Sequence, residues 1–239
     1  MKANPAMKSL LYLSALAHLF LHAQESPKML HSNAVEIKKK LPNGEVQTFT
    51  IARDIDIRCR KVDFDGKTHW SGDYVAPGVP KYCQKSFITT AGKLSPMKID
   101  DNIETFGELE VLEFIEEMQE DSDMLFIDTR KPEWFHARTI PTAVNIPFFL
   151  FTEPQKHPQA YKEALAYFGI MENNGVYDFS KAKTLLLFCN GTWCRQSPQM
   201  IEALIKLGYP AQKMKWYRGG LQAWLNVNLT SVTGSKSTR

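Results

Sequence analysis

The sequence predicts an α/β protein, a parallel sheet flanked by helices, preceded by a small β-rich N-terminal domain. Three observations carry that expectation. Met124-Leu125-Phe126-Ile127 and Thr184-Leu185-Leu186-Leu187-Phe188 are short continuous apolar runs, the composition of strands buried on both faces. Stretches of helical periodicity precede and follow them, and such alternation argues for a parallel sheet with helices on its faces. Before Glu104 there is no helical periodicity of any length, only short extended pieces between turn signals.

The elements follow in order. Residues 1–23 read as a secretory signal peptide. Lys2 and Lys8 stand without an acid before an apolar stretch from Ser9 to Leu21, and Ala23 offers a small residue before Gln24. The competing reading is a membrane anchor. That stretch has 13 residues and includes His18, whereas a span needs about 20 apolar residues. The expectation is therefore cleavage after Ala23 and an exported protein, periplasmic or secreted in a bacterium, with no stable membrane span in its mature form.

Residues 24–95 form the expected β-rich domain. Val35–Ile37 and Val46–Ile51 flank Pro42-Asn43-Gly44, where Asn-Gly is a strong hairpin-turn signal. The Lys38-Lys39-Lys40 run on that hairpin reads as a solvated strand end. Cys59 and Cys83 are the only cysteines of this half, and an exported small domain with two cysteines suggests a disulfide. Closing a loop of about 24 residues stabilises by roughly 3 kcal/mol on the chain-entropy model. The alternative is two independent buried thiols. A zinc site has little support, since only His69 lies nearby and paired close spacings are absent.

Residues 96–226 form the expected α/β domain. Leu109, Leu112, Ile115 and Met118 recur at helical spacing and predict a helix over 106–119. Met124–Ile127, Val144–Pro147, Thr184–Phe188 and Lys215–Tyr217 read as strands. Ser197-Pro198 opens a helix that runs through Leu207 and ends at Gly208, and Leu221–Leu225 is a short helix. Residues 227–239 are a polar tail, expected to fray from Asn226.

Composition bounds the function. With 239 residues, 44% hydrophobic and 23% charged, the chain is neither a disordered tail, a collagen-like repeat nor a multi-span membrane protein. Net charge is +3, and removing Lys2 and Lys8 with the signal segment leaves 27 basic against 26 acidic residues. A chain so near neutrality has no global field for nucleic acid. His136 and His157 lack ligand-spaced companions, so neither a metal nor an organic cofactor is implied.

One loop carries chemistry. In open parallel α/β sheets, ligands bind beyond the carboxyl ends of the strands. The strand Thr184–Phe188 runs into Cys189, and Asn190-Gly191-Thr192-Trp193-Cys194-Arg195 leads to a helix N-terminus. Free backbone N–H groups, the helix dipole and the Arg195 charge all favour a thiolate there. Cys189 is the expected nucleophile, Arg195 its anion clamp, and Asn190, Gly191, Thr192, Trp193 and Cys194 the substrate-binding loop. The competing reading is a buried structural cysteine.

Three segments in this order resemble the rhodanese-type sulfurtransferases, over roughly residues 100–226. They are Ile127-Asp128-Thr129-Arg130 with Glu133-Trp134 and Ile140–Pro147, then Leu187-Phe188-Cys189 through Arg195-Gln196-Ser197, then Trp216-Tyr217-Arg218-Gly219-Gly220-Leu221-Gln222-Ala223-Trp224. The resemblance implies a two-step exchange. A Cys189 thiolate takes sulfane sulfur from thiosulfate or a polysulfide, and a thiophilic acceptor removes it from the Cys189 persulfide. The partners it implies are a small sulfur-donor anion and that acceptor. It also implies that Asp128 and Arg130 are a structural ion pair.

Two departures from the family pattern matter. Cys189 and Arg195 enclose five residues, where the family's usual cradle has four. The longer C-x5-R loop resembles related cell-cycle phosphatases, so a phosphatase or arsenate reductase is one alternative. No Asp, Glu or His between Asn190 and Ser197 supplies the general acid that chemistry wants. Cys194 is the other departure, either a resolving cysteine for Cys189 or an idle thiol. The remaining alternative is a non-catalytic module that senses sulfur or an anion. Asn190-Gly191-Thr192 and Asn228-Leu229-Thr230 are glycan sequons, and a sugar on Asn190 would fall in this loop, which favours a host that does not glycosylate.

Overall fold

The computed structural model describes residues 34–40, 44–52 and 93–234. The expected signal segment, Cys59 and Cys83, and the tail beyond Gly234 lie outside the described residues. Strands β1 (Val35–Lys40) and β2 (Val46–Ile51) pair antiparallel, from Val35 opposite Ile51 to Lys40 opposite Val46. Gly44, between the two strands, takes φ +85°, a left-handed conformation that favours glycine. The pleat puts Ile37 on the inner face, where it is fully buried with Ile51 against Val111, Leu112 and Ile115. Lys38 is exposed, as a solvated strand end requires, but Lys39 is partly buried and its ammonium pKa is lowered by desolvation.

The main sheet has five parallel strands. They are β3 (Glu104–Phe106), β4 (Met124–Asp128), β5 (Val144–Asn145), β8 (Thr184–Phe188) and β9 (Met214–Tyr217), in the order β3-β9-β8-β4-β5. The central strand is β8, and its apolar run is buried on both faces as expected. Leu185 and Leu187 pack with Met200, Ile201 and Leu204, while Leu186 and Phe188 join Val111, Phe114 and Ile115 on the other face. Helix α1 (Glu108–Glu117) thus covers one face. The opposite face is covered by α3 (Phe149–Thr152), α4 (Pro158–Tyr167) and α5 (Gln196–Leu207), which follow the two-turn helix α2 (Pro132–Ala137). Helix α6 (Gly220–Asn226) follows β9 and buries Trp224 with α1. A small hairpin, β6 (Met171–Asn173) with β7 (Val176–Asp178), stands apart from the main sheet. No helix among the described residues is long and apolar enough to cross a membrane.

Three details differ from the sequence-based expectations. The helix expected over 106–119 begins at Glu108, because Phe106 is taken into β3 beside Tyr217 and the Gly107 N–H is capped by Glu110 Oε2 at 3.0 Å. Periodicity predicts nothing between Phe148 and Lys183, yet α3 and α4 lie there. Pro158 opens α4, and Leu150, Phe151, Leu165 and Phe168 are buried. Residues 228–234, expected to fray, are held by distant backbone. Leu229 is buried, Thr230 N–H donates to Ala52 O at 3.1 Å, and Thr139 and Val232 exchange two hydrogen bonds. The partners of this polar stretch lie in other parts of the chain, so its local composition did not reveal them.

Helix α5 ends where expected. Gly208 takes φ +100°, and Gly208 N–H and Tyr209 N–H cap the carbonyls of Ile205 and Leu204. This anchors the helix whose opposite end forms the floor of the candidate site.

Candidate active site

The loop from Cys189 to Arg195 joins the end of β8 to the start of α5, beyond the carboxyl edge of the sheet. Its course is fixed by the N-terminus of α6. Leu221 N–H donates to Cys189 O at 3.0 Å and Gln222 N–H to Asn190 O at 2.9 Å. Gly220 sits at φ +57°, where a Cβ would stand 2.3 Å from Cys189 O, so only glycine permits this approach. Within the loop, Cys194 N–H donates to Gly191 O at 2.9 Å. The Trp193 indole N–H donates to Gln222 Oε1 at 2.7 Å, which ties Trp193 to α6.

Two sulfur atoms share the interior of this loop. Cys189 is 2% exposed and Cys194 5%. The Cys189 thiol donates to Cys194 O at 3.5 Å. Ser197 Oγ donates to Cys189 Sγ at 3.1 Å, and Ser197 Oγ in turn accepts the Trp216 indole N–H at 3.1 Å. Asn190 Nδ2 donates to Cys194 Sγ at 3.8 Å.

The charge preference differs from the sequence-based expectation. Burial, reinforced by Cys194, pushes the Cys189 thiol well above its ordinary pKa. Cys194 is the acidified thiol, pulled down to about 6 by the neighbouring Cys189 thiol and then by the backbone N–H groups of Gln196 and Asn190 and the Asn190 side chain, against the opposing effect of burial. The loop's donors do favour a thiolate, as their position implied, but they converge on the second cysteine.

Arg195 has a partner on its own helix. Its guanidinium is 44% exposed and pairs with Glu202 on α5 at 2.9 Å. The fully enclosed guanidinium is that of Arg130. It forks onto Asp128 at 2.5–3.1 Å, donates to Arg138 O at 2.6 Å and reaches Asn190 Oδ1 at 3.2 Å. Thr139 Oγ1 completes the Asp128 carboxylate at 2.8 Å. Asp128 and Arg130 are thus the buried ion pair that the resemblance implied, with one added consequence: Arg130 orients the amide that faces Cys194. Asn190 is itself buried, so its sequon is closed to a glycan in the folded protein.

The mouth of the loop is crossed by residues 93–99. Ser95 N–H donates to Thr192 O at 2.8 Å, and Arg218 donates to Ser95 O and Pro96 O at 2.9 Å. A small cavity of about 80 Å³ lies between this strap and the helix, lined by Ser95, Pro96, Ile99, Arg195, Pro198 and Glu202. The loop residues expected at the site are therefore assembled in one place, while Cys59 and Cys83 lie outside the described residues. Sequence reasoning missed Ser197, Trp216, Arg218 and Gln222 as contributors. Each lies in a segment that resembles the sulfurtransferases, but only the folded chain shows which side chains turn inward.

A parallel sheet ordered in this way, with a cysteine loop held between a central strand and the following helix, defines a rhodanese-like architecture. Residues 111–227 match the family model for the rhodanese-like domain, and the chain carries such a domain there. Among solved structures, it is similar to a rhodanese with anions from E. coli, at 24% identity over 46% of this chain and 99% of that one, TM-score 0.28. It is also similar to the human single-domain sulfurtransferase TSTD1, at 24% identity over 51% of this chain and 95% of that one, TM-score 0.33. The Bacillus halodurans protein BH2092 aligns at 16% identity over 63% of this chain and 85% of that one, TM-score 0.35. No curated protein matches the chain.

Proposed function

We propose that the protein is a sulfurtransferase that takes sulfane sulfur from thiosulfate or a polysulfide onto Cys189 and passes it on from a Cys189 persulfide. The observation that carries this reading is the placement of Cys189. Its sulfur stands at the end of the central strand, with the Ser197 hydroxyl donating to it at 3.1 Å. A donor that stabilises the anionic sulfur at no reorganisation cost favours attack on an electrophilic sulfur. The donor's leaving group decides between sulfur and phosphate chemistry. Sulfite departs as a stable anion and needs no proton, whereas an ester oxygen does. Among the described residues, the side chain that hydrogen-bonds Cys189 is that of Ser197, which is not a carboxyl acid.

In this reading Arg195 leaves Glu202 to meet the incoming anion, and backbone N–H groups of residues 190–195 hold the transferred sulfur. Export through the 1–23 segment is part of the proposal, and N-terminal sequencing of the mature protein tests it. The catalytic step is tested by anaerobic incubation of reduced protein with thiosulfate. The expected result is sulfite release in proportion to protein, abolished by Cys189→Ser with the fold retained. Release that survives Cys189→Ser removes the mechanism. A single burst that never turns over with added thiols indicates a sensing module, and hydrolysis of a small aryl phosphate without sulfite release indicates a phosphatase.

A further inference from the structure

We infer that the sulfur acceptor is internal: Cys194 resolves the Cys189 persulfide, so that the protein releases sulfide and is returned to its reduced state by a dithiol. This rests on the persulfide reading above and deepens it by naming the acceptor, the product and the class of the second substrate.

The geometry points to it from three sides. The Cys189 thiol meets the backbone carbonyl of Cys194 at 3.5 Å, and both cysteines lie on one turn-stabilised loop closed by the Cys194 N–H to Gly191 O bond. An external acceptor must instead reach a sulfur that is 2% exposed, beneath a strap tied to the loop at Thr192. Finally, the surroundings of Cys194 are built to hold negative charge on sulfur. Asn190 Nδ2 faces it, and the buried Arg130 guanidinium bonds the amide oxygen of the same side chain. An arginine on Oδ1 fixes the amide's orientation, so that Nδ2 is the group presented to the thiolate. A structural cysteine in an apolar niche would need none of this. Consistent with that geometry, the Cys194 thiol is the acidified one of the pair.

The steps balance with the groups present. The resting pair holds one proton, on Cys189, with Cys194 as thiolate. When thiosulfate arrives, that proton passes to Cys194. Cys189 sulfur then bonds the outer sulfur of thiosulfate, and the S–S bond to the sulfonate breaks with departure of sulfite. This leaves Cys189–S–S⁻ beside the Cys194 thiol. Cys194 sulfur next attacks the Cys189 sulfur, and the terminal sulfur leaves with the Cys194 proton as HS⁻. The sulfane sulfur is reduced to sulfide, and the two cysteines are oxidised to a Cys189–Cys194 disulfide. A dithiol reductant then opens that disulfide by exchange and is itself oxidised to a disulfide.

The test uses the full reduced chain, desalted and held without oxygen, with a limiting amount of thiosulfate and no added thiol. Sulfite, sulfide, intact mass and the mapped peptide spanning residues 189–194 are read together. Wild type is expected to release sulfite and sulfide in equal amounts and to lose two hydrogens, with the new bond mapping to Cys189 and Cys194. Cys194→Ser is expected to release sulfite alone and to keep the mass of one sulfur on Cys189. With dithiothreitol present, wild type should turn over to sulfide at least tenfold faster than Cys194→Ser. A stable persulfide on wild type, with sulfite but no sulfide, overturns the inference while leaving the persulfide reading intact. A bond mapping to Cys59 or Cys83 overturns it as well. Neither sulfite release nor added sulfur in wild type or Cys194→Ser overturns both readings together.

Discussion

The Ser197 hydroxyl lies 3.1 Å from the Cys189 sulfur and points at it because the Trp216 indole N–H, also at 3.1 Å, already occupies the oxygen's acceptor side. A hydroxyl has one hydrogen, so accepting from Trp216 leaves that hydrogen for the sulfur. All three groups are buried, and no water is needed to complete the line. The strand β9 thus acts on the chemistry of the loop after β8 through a single serine at the start of α5.

Ser197→Ala removes that donor and orphans the Trp216 N–H. Hydrogen bonds to charged groups are worth about 1.5–3 kcal/mol, so sulfite release from thiosulfate should fall by about tenfold to a hundredfold. The unsatisfied indole should lower stability by about 1–3 kcal/mol. Pre-steady-state sulfite release and urea unfolding separate the two effects.

Alkylation with a small neutral reagent should report the acidified thiol. Modification of the 189–194 peptide is expected to follow a midpoint near pH 6, and Cys194→Ser should shift that midpoint upward. The same group makes stability depend on pH. Its folded pKa is depressed, so its contribution is complete above the ordinary thiol value of 9 and is lost as pH falls through about 6. Denaturant midpoints should rise between those limits in the reduced protein, and a flat profile would count against the pair.

Glu202→Gln frees Arg195 from its partner. The pair is about half-exposed, and exposed ion pairs are worth at most about 1 kcal/mol. The expected change is a modest one, a KM for thiosulfate lowered by up to about fivefold with kcat little altered. An unchanged KM would mean that Arg195 does not meet the donor.

Arg218→Ala should loosen the strap. The side chain holds the carbonyls of Ser95 and Pro96, and Ser95 holds the loop at Thr192. Losing it is expected to speed alkylation of Cys189 and Cys194 by several-fold without changing the midpoint of the pH profile.

Gly220→Ala should damage the loop from outside it. A methyl group would stand 2.3 Å from Cys189 O, at a left-handed φ that alanine resists. Strain of this kind costs about 1–3 kcal/mol before any clash, so thermal unfolding should move down by several degrees and sulfite release should fall with it.

Much of the fold was legible before any coordinates. The run Thr184–Phe188 needed no partner to be recognised, because only a strand covered on both faces tolerates such an unbroken apolar stretch. Gly208 marked the end of α5 for an equally local reason, its freedom to take positive φ. Other elements were silent. Strand β3 is three residues long and only one of them is apolar, and it exists because Glu104, Thr105 and Phe106 lie beside β9. The stretch from Thr230 to Val232 was silent too, since its hydrogen bonds go to Ala52 and Thr139.

The candidate site divides along the same line. The order of residues fixed that a cysteine follows a buried strand and precedes a helix N-terminus, and that a second cysteine and an arginine share the loop. Those are properties of neighbours in the chain, and sequence carries them directly. Which sulfur holds the charge, and whether Arg195 faces it, depended on groups that arrive from elsewhere: Arg130 from the end of β4, Trp216 from β9, Glu202 from the outer face of α5. Electrostatic energy is set by distances through space. Only folding brings Arg130 to Asn190 and Asn190 to Cys194, and so only the tertiary structure could move the expected thiolate from Cys189 to its neighbour.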